Sequence, residues 1–110
     1  MQKFSLVALA RQQLERATDS SGGHAADTVV GGHERVLRQT VLALTKGTEQ
    51  SEHEPNGEAT LFVLFGRARV VAGEVSWEIS AGDLLLVPDT RHRVEALEDS
   101  ALLLTVAIPR

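Results

Sequence analysis

The stretch GTEQSEHEPNGEATLFVLFG, residues 47–66, decides the fold, and AGDLLLVPDTRHRV, residues 81–94, answers it fifteen positions after it ends. Each couples a tight glycine turn to a short apolar strand, and each carries one histidine, His53 or His92, on a phase that points inward. Ala59 to Phe65 alternates Ala59, Leu61, Val63 and Phe65 against Thr60, Phe62 and Leu64. Both phases are apolar, so one can fill a barrel while the other needs a cover. Together the two stretches predict a small closed β-barrel with His53 and His92 near its mouth.

Outward from these stretches the punctuation continues. Arg67 to Val71 pairs with Val75 to Ile79 across Ala72-Gly73-Glu74, a glycine hairpin turn, and Val75, Trp77 and Ile79 form its buried phase. Leu84 to Val87 ends at Pro88, His92 to Ala96 begins another strand, and Glu98-Asp99-Ser100 turns into a final strand, Ala101 to Ile108. Upstream, VLRQTVLAL, Val36 to Leu44, is dense in strand formers, and Glu49 to Glu54 reads as a short acidic run before the Pro55-Asn56-Gly57 turn. The count is about eight turn-spaced strands, which argues a sandwich or barrel rather than alternating β and α units.

Leu6, Leu9, Ala10, Leu14 and Ala17 keep a three-four spacing with Arg11, Gln12, Glu15 and Arg16 opposite, so Ser5 to about Thr18 reads as an amphipathic helix with Ser5 as N-cap. DSSGG, residues 19–23, ends it. The expected organisation is a helix and flexible connector over 1–23 and one barrel domain over 24–110. A chain of 110 residues supports a single core.

Composition excludes several classes. A net charge of -4 argues against a nucleic-acid surface, which needs clustered Lys and Arg. The absence of cysteine removes disulfides, thiolate zinc sites and cysteine nucleophiles, and fits a reducing, cytoplasmic setting. The opening MQKFSLVALARQQLERA is interrupted by charge too early for a signal peptide, and no stretch approaches the ~18 apolar residues of a membrane span.

On these residues the chain resembles the cupin superfamily, specifically its small single-domain bacterial members with an N-terminal helix. The first cupin motif, G-x5-H-x-H-x3-E-x6-G, is met here by Gly47, His53, Pro55, Ala59 and Gly66. The frame is intact and two of its three ligand positions are replaced. The second, G-x5-P-x-G-x2-H-x3-N, is met by Gly82 and Pro88, then Thr90 in place of glycine and His92 after a loop one residue short, with no match for the asparagine. The resemblance covers about Val36 to Ile108. It implies an all-β, cupin-type double-stranded β-helix, or jelly-roll, barrel behind a short N-terminal α-helix, assembled as a homodimer. It also implies a divalent metal ion held by three histidines and a glutamate, a set this chain carries incompletely.

The residues leave the chemistry open. His53 and His92 are either hydrogen-bonded neutral histidines in a polar barrel mouth or the two ligands of a divalent metal ion. Glu58 stands one residue before the motif's glutamate position, so strand alternation points it away while Ala59 points in, unless a bulge at Asn56-Gly57 reverses them. His33 is a third donor only if its strand edge reaches the mouth, and His24 has no role. Arg91 and Arg93, with Arg67 and Arg69, form either an anion-holding rim or solvated outer charge. The Thr60, Phe62, Leu64 face requires burial against the helix or a second subunit. The expected function is binding of a small polar molecule in the barrel by His53, His92, Arg91 and Arg93, without a complete metal site. Two alternatives stand beside it: a metal-dependent dioxygenase or isomerase using His53 and His92, and a structural or partner-binding dimer. The fold alone does not decide whether the chain is an enzyme.

Overall fold

The structure is a computed structural model that describes residues 1–53 and 57–108, the side chains of 51–53 excepted. One helix, α1 (Leu6–Asp19), precedes nine strands: β1 (His24–Val30), β2 (Leu37–Leu44), β3 (Glu49–His53), β4 (Glu58–Phe65), β5 (Arg67–Ala72), β6 (Val75–Ser80), β7 (Leu84–Leu86), β8 (His92–Ala96) and β9 (Ser100–Ala107). They form two antiparallel sheets, sheet A in the order β1-β2-β9-β4-β7 and sheet B in the order β3-β8-β5-β6. The result is an all-β jelly-roll barrel with a single N-terminal helix. No helix among the described residues is long and apolar enough to cross a membrane.

The core lies between the sheets. Leu102 of β9 stands opposite Leu42 on one side and Val63 on the other. Leu42, Leu61, Val63 and Leu102 of sheet A meet Ala68, Val70, Ile79, Val94 and Ala96 of sheet B in one aliphatic cluster. Each fully buried Leu or Val contributes about 1.5–3 kcal/mol. On β8 the residues alternate as alternation requires: His92, Val94 and Ala96 are buried, and Arg93 and Glu95 between them are half-buried.

The helix closes the other side of sheet A. The Ser5 hydroxyl accepts from the Ala8 amide at 3.2 Å and starts α1. Its buried stripe, Ala10, Gln13 and Ala17, packs on β1 and β2, over Val41, Ala43 and Ala101 of the outer face. These small residues let the helix approach the sheet closely.

Gly66 passes the chain from sheet A to sheet B at φ +89°. A Cβ there would meet the Asp99 carbonyl and lie 2.7 Å from Ser100 Cα, so only glycine fits. Buried Ser100 holds this joint from the other side: its hydroxyl accepts from Arg67 N at 3.0 Å and donates toward the carbonyls of Glu98 and Arg67.

Several expectations need correction. The described residues form nine strands where about eight were expected: His24–Val30 is an edge strand, and the acidic run at 49–53 is strand β3. Its continuation through Pro55 and Asn56 lies outside the described residues. Val75 and Trp77 are 58% and 61% exposed, whereas Ile79 on the same phase is buried. β6 is the edge of sheet B, so its inner phase runs out beyond the cover of sheet A. Phe65 leaves the inner phase because a bulge between Val63 and Phe65 sets it opposite Ala101, on the helix side. Leu84 stands opposite Phe62 on the outer face.

Candidate functional site

Strand pairing sorts the connections to two ends of the barrel. Residues 31–36, 87–91, 73–74 and the link from β3 to β4 share the end at which β4 begins. His33, His53, Glu58, Arg91 and His92 are therefore brought to one end. They are not brought into one cluster: among the described residues no group of three or more His, Asp or Glu could hold a metal ion.

His92 is the best defined of them. It opens β8 on the inner phase, with Val94 and Ala96 behind it, and is 5% exposed. Its Nδ1 lies 2.9 Å from the Thr90 carbonyl oxygen. A carbonyl only accepts, so Nδ1 carries the proton and donates, and in the neutral ring Nε2 bears the lone pair. The short loop 88–91 thus fixes both ring orientation and tautomer. In this tautomer Nε2 is the acceptor nitrogen of the ring and Nδ1 the donor. Nothing in the sequence pointed to Thr90, since the loop departs from the motif there.

His53 is the register partner of His92 across β3 and β8, after an irregularity that begins at Gln50. Its side chain, like that of Glu52 and the whole of Glu54, lies outside the described residues. Ala59 takes the inward position on β4 and accepts from Val87 N at 2.9 Å, while Glu58 before it is exposed. Glu58 lines an open cleft of about 230 Å³ with Gly57, Ala59, Val87, Pro88 and Asp89. His33 sits exposed in the loop between β1 and β2, and Arg91 is exposed in the loop before β8.

Arg93 does not face the barrel interior. The alternation that buries His92 sends Arg93 to the outer face of sheet B, where it bonds Glu95 at 3.1 Å and Glu49 at 3.5 Å. Glu49 and Glu95 oppose each other directly across β3 and β8, an unfavourable pairing that Arg93 offsets by bridging both. Arg69 stands between Glu95 and Glu78 in register and pairs with each, and Arg67 pairs with Glu78 and Glu98. Three of the four arginines considered for an anion rim are thus bound into one outer ladder.

The donor set falls short of what the fold's usual metal needs. Pro55 and Ala59 stand at two ligand positions of the motif, and Glu58 is exposed while Ala59 faces in.

No family model matches the chain, and no curated protein does. Solved structures do. A conserved protein of unknown function from Streptococcus pyogenes is 26% identical, with 83% of this chain and 79% of that one covered at a TM-score of 0.73. An RmlC-like cupin protein from Desulfovibrio desulfuricans is 26% identical over 76% of this chain and 81% of that one, TM-score 0.67. A salicylate 1,2-dioxygenase from Pseudaminobacter salicylatoxidans is 21% identical at a TM-score of 0.76, over 91% of this chain but 33% of its own, a likeness of fold alone.

Proposed function

We propose that this chain, a cupin by fold, binds a small polar molecule at the histidine-bearing end of its barrel, and does so without a complete metal site. The observation that supports this reading is His92: a buried imidazole at the end of the barrel, facing inward, with its ring orientation set by the Thr90 carbonyl. Of the other buried polar side chains, Ser100 serves the joint at Gly66 and Gln13 lies under the helix. His53, as register partner, supplies the second contact, and Arg91 in the adjoining loop the charged one. The protein acts as a homodimer in the cytoplasm, a compartment that its lack of cysteine suits.

The test is a thermal-stabilisation screen of sugars, amines and carboxylates, run beside His92→Ala and His53→Ala. A ligand at about one hundred times its Kd should stabilise the parent by roughly 2.7 kcal/mol. That gain should vanish in His92→Ala and shrink in His53→Ala. A gain kept intact by both variants would move binding to another surface. Elemental analysis of protein purified without chelator should find far less than one divalent ion per chain. Near-stoichiometric metal, lost in both variants, would replace this reading with a metal-dependent enzyme built on His53 and His92.

A further inference from the structure

The outer face of sheet A is covered over only part of its width. α1 lies across β1 and β2, and beyond it register places Leu84 beside Phe62 and Phe62 beside Leu103, all on the outer face. Leu86 follows on the same side, next to Thr60. Leu84 and Leu86 are 66% and 75% exposed, and Phe62 and Leu103 are half-buried. Toward the helix the surface continues into a groove of about 310 Å³ lined by Val7, Ala10, Arg11, Leu14, Leu64 and Phe65, with Val7 67% exposed. β7, the edge strand, is three leucines, with none of the charge that usually blunts a sheet edge. A continuous apolar surface of this kind is uncommon on a lone chain.

Charge is divided between its two ends. Arg11 borders the helix end. Glu58 and Asp89 border the end where β4 begins and β7 has finished. None of the three makes an ion pair among the described residues, in contrast to the arginines of sheet B.

We propose that a second copy of this chain covers this face, in a two-fold dimer with Phe62 near the axis. A two-fold rotation lays one copy's Arg11 end on the other's Glu58 and Asp89 end, so a single surface with opposite charges at its two ends is complementary to itself. The apolar centre supplies the burial and the charged ends set the register. This locates the dimer that the proposed function includes, and rests on that part of it; it does not depend on His53 or His92.

The test is sedimentation velocity on the full chain with Leu84→Glu, Arg11→Glu, Glu58→Arg and the last two combined, each checked for an unchanged circular-dichroism spectrum. Leu84 is exposed, so its replacement leaves the monomer intact. The parent should sediment at twice the chain mass, and Leu84→Glu should weaken pairing about 100-fold, leaving a monomer where the parent is dimeric. Each single charge reversal should weaken pairing, and the double reversal should restore it. A monomeric parent at tens of micromolar, or a dimer indifferent to Leu84→Glu, overturns the proposal; a double reversal no better than the singles overturns the two-fold register. Monomeric Leu84→Glu should retain any His92-dependent ligand stabilisation, so failure here and failure of the ligand-binding reading remain distinct results.

Discussion

The two sheets turn opposite chemistry outward. Sheet B shows solvent a ladder of alternating charge, Glu49, Arg93, Glu95, Arg69, Glu78, Arg67 and Glu98. Sheet A shows an aliphatic face, part of it under α1 and the rest bare. Pairs as exposed as those of sheet B add little stability and need no cover. The bare leucines of sheet A do need one, and so the same barrel has a finished side and an unfinished side. The inner faces are alike, and it is the outer phase of each strand that tells the sheets apart.

The largest test breaks both sides at once. Gly66→Ala puts a methyl group into the Asp99 carbonyl at the joint between β4 and β5, at a φ that disfavours alanine. A loss exceeding about 4 kcal/mol is expected, seen as little or no folded protein in a urea titration. A variant unfolding near the parent midpoint would show that the turn at 97–99 can retreat.

The next test sharpens the covered half of sheet A. Gln13 is 1% exposed and its Oε1 has no hydrogen-bond partner. Such burial costs about 1–3 kcal/mol, and leucine matches the length and helix propensity of glutamine. Gln13→Leu should raise stability by about 1 kcal/mol, or roughly 4 °C in a melting curve. A lower melting temperature would mean that the amide holds the helix in register.

The smallest effect belongs to sheet B. Glu78 bonds Arg69 at 3.2 Å and Arg67 at 3.4 Å with about half its side chain in solvent. Glu78→Gln should cost under about 1 kcal/mol in denaturant unfolding, and less near 1 M salt, where charges are screened within about 3 Å. A larger, salt-independent loss would make the ladder a structural element rather than a solvated face.

The sequence made the barrel legible wherever turn chemistry and alternation coincide. Gly47, Gly66 and Gly82 all take positive φ, and β4, β8 and α1 fall within a residue or two of their expected bounds. Alternation names a phase but not its cover. Val75 and Trp77 do share a phase with Ile79, and they are exposed because no strand of sheet A lies beyond β6. Phe65 escaped because a bulge leaves no mark in an apolar run. β1, HAADTVV, escaped because an edge strand with one wetted side carries little apolar signal. At the site, the inward phase of His92 follows from its strand. The Thr90 contact that sets its tautomer depends on the path of a four-residue loop, which no periodicity encodes. Arg93 was legible only as one of two faces, and of its two partners Glu95 is a strand neighbour while Glu49 on β3 is distant in sequence.

The order of strands in sheet A also governs when the barrel can form. β9, the last of the described strands, sits between β2 and β4, and Gln39 reaches Thr105 across 66 positions. Until residues 100–107 insert, β2 and β4 each present an open apolar edge, and neither half of the sheet can close. Folding of this topology is slow beside that of helical chains, because distant pairing must precede its reward. A chain in which β9 has not yet paired is therefore the state most exposed to aggregation, and the one a chaperone would have most to protect.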